Sequence, residues 1–328
     1  MNGIYVTGGE LRQSVFRKLM EWQSSQKAVI LEFDPESKKS RTCIEYISPS
    51  EVCSDDLPAI LFKSASIADG RLYACTSTEV LVYALPGFEL LHYISLPCFN
   101  DLHHVCLSCE NTLLVVTTGL EMVVEVTLDG KVLREWNVLG EDPWTRFSRD
   151  IDYRKVASTK PHRAHPNHVF LLDDEIWATR FEQRDAISLT RPGRRIDIGV
   201  QRPHDGYVFR DSIYFTTVDG KVIRVNQKSL QIEQIHDLTE MSGPREQILG
   251  WCRGVLPLDD RFAWAGFTRV RPTKFRENLA WIRSGGNYEE IHRPTHLALY
   301  DFERKQCVDE VPLECHGIGV VFSLLPAV

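Results

Sequence analysis

The chain has 328 residues, of which 43% are hydrophobic and 25% charged, and its formal net charge is −7. This composition is typical of a globular protein with a sizeable core. The mild acidic balance argues against a face dedicated to nucleic acid or anionic lipid. No apolar run reaches the roughly 18 residues of a membrane span and no signal-peptide pattern is present. With nine scattered cysteines, typical of reduced thiols, these features lead us to expect a cytoplasmic protein without nucleic-acid or membrane partners. The oligomeric state stays open.

Helical periodicity is confined to residues 9–25, where a short helix is expected. From residue 60 onward the chain repeats a unit of short apolar strands separated by Asp, Gly or Asn turns. The first unit is "ILFKSASIADGRLYACTSTEVLVYALPGFELLHYI", and further units begin at residues 103, 168 and 204. A fifth is split between residues 252–270 and 295–313. The hairpin turns "LDGK" and "VDGK" indicate antiparallel pairing within the units.

Repeats of about 35–50 residues with four strands each predict an all-β fold, a single β-propeller spanning residues 1–328. A further blade would combine the C-terminal "HGIGVVFSLLPAV" with the N-terminal "GIYVTGG", "AVILEFDPE" and "RTCIEYIS". Strands from both termini would then close the ring and hide its edges. We count six blades of four antiparallel strands, with five or seven as alternatives.

Two insertions interrupt the repeat, at about residues 138–164 and 268–294. Both are long, aromatic and rich in arginine, and they contain Trp144 and Trp281. Long segments of this kind in a compact domain are usually functional or disordered. We expect both to form ordered lids.

Histidines recur where the innermost strand of each blade would begin. Such strands line the central channel, and their first residues face a common mouth. Aligning the repeats by their turns brings together Lys63 or Ser64, His104, His165 to His168, His204, Arg253 and His316.

This recurrence predicts a metal site, because imidazoles that converge from several directions bind zinc, iron, copper or nickel. The predicted ligands are His104, His165, His204 and His316, with His168 as the alternative to His165. A divalent transition metal, zinc or iron, is the expected cofactor. Any single histidine here is more often a hydrogen-bonded strand-end residue, and His103 and His236 are assigned to that class. A metal-free polar pocket remains an alternative.

Three other side chains are candidates for catalysis at the same mouth. Arg253 would bind a carboxylate or a developing oxyanion. Asn167 would orient a ligand by hydrogen bonds. Tyr207, close in sequence to His204, would act as an acid or base.

Residues 100–270 resemble a family of bacterial propeller proteins known only as a conserved domain of unknown function, DUF4915. The resemblance rests on "HHV" at 103–105, "AHPNHVF" at 164–170, "RPHDGYVF" from 202 and "WCRGV" at 251–255. It departs from the family pattern at Ala164 and His168, where the family tends to have cysteine and glycine. It implies a propeller fold and a site at His104, His165, Asn167, His204 and Arg253.

The leading functional hypothesis is a metal-dependent lyase, cyclase or hydrolase. It would act on a small polar, carboxylate-bearing metabolite at the axial mouth, under the lid formed by the insertions. A histidine-ligated iron oxygenase is a variant that needs the same ligands. The alternative from another class is a non-catalytic propeller that binds a protein or peptide through the Trp and Arg side chains of the insertions.

Overall fold

The computed structural model describes residues 3–12, 19–243, 248–270 and 293–328. In these ranges, 24 strands form six separate four-stranded antiparallel sheets. The predicted six-bladed all-β propeller is therefore confirmed. No helix in the described ranges has the length and apolar character needed to cross a membrane.

The first three strands belong to the blade that closes the ring, here called blade 6. They are β1 (Ile4–Leu11), β2 (Ser25–Asp34) and β3 (Lys39–Tyr46). Blade 1 contains β4 (Ala65–Ala68), β5 (Arg71–Cys75), β6 (Val80–Ala84) and β7 (Glu89–Ile94). Blade 2 contains β8 (Leu102–Leu107), β9 (Leu113–Thr117), β10 (Met122–Val126) and β11 (Val132–Asn137).

The remaining blades follow in chain order. Blade 3 contains β12 (Pro166–Leu172), β13 (Glu175–Arg180), β14 (Asp185–Ser188) and β15 (Arg195–Asp197). Blade 4 contains β16 (Pro203–Phe209), β17 (Ser212–Thr217), β18 (Lys221–Asn226) and β19 (Ile232–Asp237). Blade 5 contains β20 (Trp251–Pro257), β21 (Phe262–Thr268), β22 (His296–Asp301) and β23 (Gln306–Pro312), and β24 (Val320–Pro326) completes blade 6.

Helical structure in the described ranges is short. One α-helical turn, α1 (Leu238–Met241), follows blade 4. The 3₁₀ turns are Glu21–Gln23, Ser50–Val52, Thr118–Leu120, Tyr153–Lys155 and Glu314–His316.

Where the structure describes residues 9–25, both ends of the segment belong to strands and not to the expected helix. β1 continues to Leu11, and β2 begins at Ser25 after the 3₁₀ turn Glu21–Gln23; residues 13–18 lie outside the described ranges. β1 is paired on both sides, with β2 and with β24. Those ladder hydrogen bonds outweigh the weak helical preference of the segment.

The hairpins that sequence patterning identified have the turn chemistry that it implied. Gly130 and Gly220, the glycines of "LDGK" and "VDGK", have φ of 86° and 85°. Only glycine adopts this backbone conformation without steric cost, so these two positions fix where β10 and β17 end.

The apolar core lies between neighbouring blades, where the faces of adjacent sheets meet. Phe33 of blade 6 contacts Trp264 of blade 5 edge to face, with ring centroids 6.3 Å apart. Phe170 and Phe215 join blades 3 and 4 in the same way at 6.1 Å. Such aromatic pairs add to the free energy gained by burying their surfaces.

Closure of the ring is achieved by the strand from the C-terminal region. β24 pairs with β1 from Ile4 opposite Pro326 to Gly9 opposite Val320. Thr7 Oγ1 lies 2.7 Å from Ser323 Oγ, and it also donates to the Lys63 carbonyl of blade 1 at 2.8 Å. The predicted closure by strands from both termini is thus confirmed.

Similar side-chain hydrogen bonds to main-chain groups join the other blades. Four of them are buried and that of Ser66 is partly buried, so they satisfy polar groups that water reaches poorly. They are Ser66 Oγ to Val105 O between blades 1 and 2, Thr118 Oγ1 to Pro166 O between 2 and 3, Asn167 Nδ2 to Pro203 O between 3 and 4, Gly254 N to Asp205 Oδ2 between 5 and 4, and Thr268 Oγ1 to Val321 O between 5 and 6.

Candidate functional site

The first strands of the blades line the axis. β4, β8, β12, β16, β20 and β24 contact one another in that order around the ring, and β24 contacts β4. All six begin at the same end of the channel, because every blade repeats the same strand order. That end is the mouth at which the sequence placed the site.

Five of these six strands carry a β-bulge close to where they begin. The register against the second strand shifts within Leu102–His104, Pro166–His168, His204–Tyr207 and Cys252–Val255, and opposite Thr7–Gly8 in blade 6. A bulge re-aims side chains and is common beside functional sites. The bulged positions are His103, Asn167, Asp205 with Gly206, Arg253 with Gly254, and Phe322.

A cavity of about 120 Å³ lies at this mouth. Its wall combines charged side chains from the inner strands with the end of the first insertion. The lining residues on or next to the inner strands include Lys63, Asp101, His103, His165, Arg253 and Phe322.

Asp101 and Lys63 form an ion pair in this cavity, with Lys63 Nζ 2.8 Å from Asp101 Oδ1. Burial raises the pKa of the Asp101 carboxyl, but the surrounding basic side chains, Lys63 foremost, together outweigh burial and hold that pKa well below its usual value. Asp101 therefore stays ionised. Its carbonyl oxygen lies 2.8 Å from His103 Nδ1.

His103 stays neutral. Burial, with the nearby charge of Lys63, lowers its pKa to about 3. We assign the ring proton to Nδ1, because this nitrogen faces the Asp101 carbonyl oxygen. Nε2 is then the nitrogen that accepts a hydrogen bond.

One group of side chains in the described ranges has the spacing of a metal site. Asp101, His162 and His165 each offer a ligand atom, and these atoms lie within 4.8 Å of one another. Nδ1 of His162 is 2.8 Å from Nδ1 of His165, and His162 Nε2 lies 3.2 Å from Thr159 Oγ1. Burial lowers the pKa of both imidazoles. Neutral imidazoles with a carboxylate are a donor set that suits zinc or iron.

Of the predicted metal ligands, His165 and His204 lie near this group. The ring centroid of His103 is 4.9 Å from that of His165 and 6.5 Å from that of His204. His165 lines the cavity and His168 does not, so His165 is the residue of that pair that faces the mouth. Their role as ligands stays a prediction.

His104 and His168 form a separate pair. Their rings stack with centroids 3.6 Å apart, both are buried, and neither lines the cavity. The bulge at Leu102–His104 accounts for this placement, because a shift of one residue exchanges the two faces of a strand. His103, expected from the sequence to be an ordinary strand-end residue, therefore faces the cavity in place of His104.

His316 is not brought to the mouth. It ends the 3₁₀ turn before β24, and its Nδ1 lies 2.8 Å from Ser40 Oγ. Ser40 belongs to β3, the outermost strand of blade 6 and three strands from the axis. The corresponding position of the axial ring is occupied by Phe322.

The three predicted catalytic residues have different surroundings. Arg253 lines the cavity, and its Cζ lies 4.6 Å from the centroid of the Phe322 ring. Asn167 is buried and donates from Nδ2 to the Pro203 carbonyl. Tyr207 packs into the apolar layer between blades 4 and 5, where burial raises its pKa.

The first insertion contributes a wall of the cavity. Residues 154, 156–160 and 162 line it. Asn100 Nδ2 holds this segment by donating to the carbonyls of Tyr153 and Val156, both at 2.7 Å. Trp144, by contrast, donates to Glu135 of β11. In the second insertion, Thr268 and Arg269 line the cavity, and residues 271–292 with Trp281 lie outside the described ranges.

Asp101 and His162 were not identified from the sequence. Asp101 immediately precedes the His-led strand of blade 2, and His162 stands three residues before His165 in "HRAH". Both signals are weak, because each residue lies in a connection whose path the repeat pattern does not define. Asp101 has a φ of 51° and His165 a φ of 52°. These left-handed conformations are invisible in the sequence.

Comparison with solved structures supports the fold. Over its full length the chain is similar to a protein of unknown function from Bacteroides caccae, with a TM-score of 0.63 and 13% identity, covering 100% of this chain and 99% of that one. It is also similar to virginiamycin B lyase from Staphylococcus aureus, with a TM-score of 0.46, 13% identity and coverage of 80% and 81%. A streptogramin B lyase is similar with a TM-score of 0.49 and 11% identity, over 95% of this chain and 88% of that one.

The six four-stranded sheets define the chain as a β-propeller, and the likeness to the Bacteroides caccae structure, at 13% identity, supports the fold alone. No known protein family and no curated protein matches the sequence. The resemblance to DUF4915 accordingly stays a prediction. What the comparison with the Bacteroides caccae structure supports is a propeller of unknown function.

Proposed function

We propose that this propeller is a metal-dependent enzyme of the lyase, cyclase or hydrolase type that acts on a small carboxylate-bearing metabolite in the mouth cavity. The observation that carries the proposal is the convergence of Asp101, His162 and His165 within 4.8 Å. Lys63 and Arg253 line the same cavity. A metal-binding group beside two cations suits a substrate whose anionic end is held while a neighbouring bond reacts.

The side chains of the cavity would have three roles, which are to bind the metal, to bind the substrate and to orient a ligand. Asp101, His162 and His165 would hold zinc or iron, which when bound supplies a Lewis acid that polarises a carbonyl or activates water. Arg253 and Lys63 would bind and orient the carboxylate. Thr159 Oγ1, 3.2 Å from His162 Nε2, would keep that imidazole oriented as outer-shell partners of metal ligands do.

The test is the metal content of the protein purified without a histidine tag, together with two single variants. We expect about one zinc or iron per chain in the wild type. His162→Gln should lose it, with a fall in affinity beyond the about 10–100-fold that loss of an outer-shell partner costs. His316→Gln is the matched control, since His316 contacts Ser40 away from the cavity, and it should keep the metal.

A folded wild type without metal after incubation with zinc or iron would overturn the proposal, and a metal-free pocket or an interaction scaffold would replace it. Loss of metal in His316→Gln but not in His162→Gln would restore the ligand set expected from the sequence. Circular dichroism of each variant separates loss of metal from loss of fold.

A second candidate is an iron-dependent oxygenase on the same site. Two histidines and one carboxylate are the donor set of non-haem iron enzymes with open positions. Iron in preference to zinc, with oxygen uptake in the presence of a carboxylic acid, would favour this candidate.

A further inference from the structure

The inner segments give the cavity two layers of side chains. The deeper layer contains Lys63, Arg253 and Phe322. The residues two positions earlier form the upper layer, nearer the mouth, because the inner strands begin at that end. These are Leu61, Trp251 and Val320, all apolar and all lining the cavity.

The upper layer continues into a small apolar cluster that is distinct from the cores between blades. Leu61, Val320 and Phe322 form it, with Leu11 and Ala59 packed against it. Leu61 is 6% exposed and Val320 3% exposed. The cavity therefore has a preformed apolar wall on the side of blades 6 and 1, and the indole of Trp251 stands beside it.

The ring of Phe322 links this wall to the cations beneath. Lys63 Nζ lies 4.9 Å and Arg253 Cζ 4.6 Å from its centroid. Both cations are at least nine-tenths buried. Aromatic faces attract cations, so the ring fixes both charges at the base of the apolar wall.

The hydroxyl groups of the cavity lie elsewhere. Ser77 and Thr78 belong to the turn between β5 and β6, Ser158 and Thr159 to the first insertion, and Ser24, Ser48 and Ser54 to the connections before β2 and after β3. Thr268 ends β21, and its hydroxyl is hydrogen-bonded to the main chain of Val321. None of these hydroxyl groups is on an inner strand. The part of a ligand directly above the two cations consequently meets apolar surface.

The size of the cavity limits that part of the ligand. Its volume is about 120 Å³, somewhat below the roughly 150 Å³ of a protein cavity that holds benzene. The enclosed part of the cavity therefore holds no more than one flat ring, whose outer edge lies toward the mouth.

We infer that the substrate is a carboxylic acid whose carboxylate is attached to a flat, apolar body no larger than one ring. This inference rests on the proposed function and specifies its substrate class. The carboxylate lies between Lys63 and Arg253, and the body lies against Leu61, Val320 and Trp251. Most pockets bind this way, with a few polar groups that fix orientation and an apolar lining for the rest of the ligand.

The experiment is calorimetric titration of the wild-type protein, with and without zinc, with four probes: benzoate, benzamide, acetate and succinate. We expect benzoate to bind at least about tenfold more tightly than benzamide, which lacks the charge, because a hydrogen-bonded charged group contributes more than a neutral one. Benzoate should exceed acetate, which lacks the body, by a similar factor.

Two variants assign these differences to their residues. Arg253→Gln should bring benzoate close to benzamide, and Trp251→Ala should bring benzoate close to acetate. Arg253→Lys should keep part of the preference for charge and shows that the site still folds. Arg210→Gln is the matched control, because Arg210 also lies over an aromatic ring, Phe209 at 5.0 Å, but is exposed. It should bind like the wild type.

Succinate binding as tightly as benzoate, benzamide matching benzoate in the wild type, or no binding of benzoate at millimolar concentration would each overturn the inference. These outcomes are independent of the metal content. A protein that holds metal but prefers succinate keeps the proposed function and loses this substrate class. A protein that prefers benzoate but holds no metal keeps this ligand class and loses the proposed metal-dependent function.

Discussion

At the scale of single residues, Asp205 shows how a bulge sets the chemistry of a side chain. It has a φ of 62° and is 5% exposed. Its Oδ2 accepts hydrogen bonds from Thr216 Oγ1 at 2.6 Å and Gly254 N at 3.0 Å. Burial raises its pKa to about 6, although both hydrogen bonds and the charge of Arg253 oppose the change. The carboxyl group thus joins blades 4 and 5, and because it is buried its ionised form lacks the hydration that it would have in water.

This raised pKa predicts a pH dependence of stability. Between about pH 4 and pH 6 the folded protein keeps a proton on Asp205 that the unfolded chain has released. The free energy of unfolding therefore falls as pH rises through that window and stays lower above it, by about 3 kcal/mol. Asp205→Asn should be more stable than the wild type at pH 7.5 and similar to it at pH 4, as measured by denaturant unfolding.

Asp211→Asn, a change in an exposed turn of the same blade, is the control and should leave the profile unaltered. Equal destabilisation of Asp205→Asn at both pH values would show that the hydrogen bonds to Gly254 and Thr216 need the carboxylate itself.

At the scale of strands, the junction of β24 with β1 depends on close approach of two backbones. A Cβ built on Gly8 would lie 1.8 Å from the Val320 carbonyl oxygen. Since that oxygen belongs to the main chain, no side-chain rotation relieves the clash. Only glycine fits at position 8, because there is no room for a Cβ atom between the two backbones.

We predict that Gly8→Ala lowers the free energy of unfolding by about 1–3 kcal/mol, the usual range for overpacking. Gly87→Ala is the control, because a Cβ at Gly87 has no neighbour within 4 Å, and it should stay within about 0.5 kcal/mol of the wild type. Thermal or denaturant unfolding of the two variants gives the comparison. Equal stability of both would mean that the junction opens readily.

Patterning along the strands explains which parts of the structure the sequence predicted. Alternating apolar residues and Asp-Gly turns identified six blades and the mixed terminal blade, because these features repeat with every unit. The same repeat also predicted that the inner strands begin at one end of the channel, where the candidate site lies. The bulges did not follow, because one extra residue leaves no mark in an alternating pattern. This is why His104 was selected over His103, and why Tyr207 was placed beside His204 instead of between blades.

At the scale of the whole molecule, the ring is held by interactions between distant parts of the chain. Side-chain hydrogen bonds cross every junction between blades, and β24 completes blade 6 by pairing with β1. Ala327 N also donates to the Gly3 carbonyl at 3.1 Å. Without β24, one long side of β1 would be an unpaired edge, which promotes aggregation.

We therefore predict that a chain ending at residue 319 does not form a stable monomeric propeller. It should elute as aggregate in size-exclusion chromatography and lack a cooperative thermal transition. The control ends at residue 327 and removes only Val328, which is 63% exposed; it should behave as the full chain. A monomeric, cooperatively folding 1–319 chain would contradict the role given to this junction.

The bulges have a consequence for evolvability. A bulged residue has no partner on the neighbouring strand, so the ladder places little demand on its side chain. The inner ring therefore contains two kinds of position. Paired positions hold the propeller backbone together, whereas the side chains at 103, 253 and 322 are constrained by the cavity that they line and not by the ladder. Descendants of one such scaffold can acquire unrelated ligands while their backbones stay superimposable.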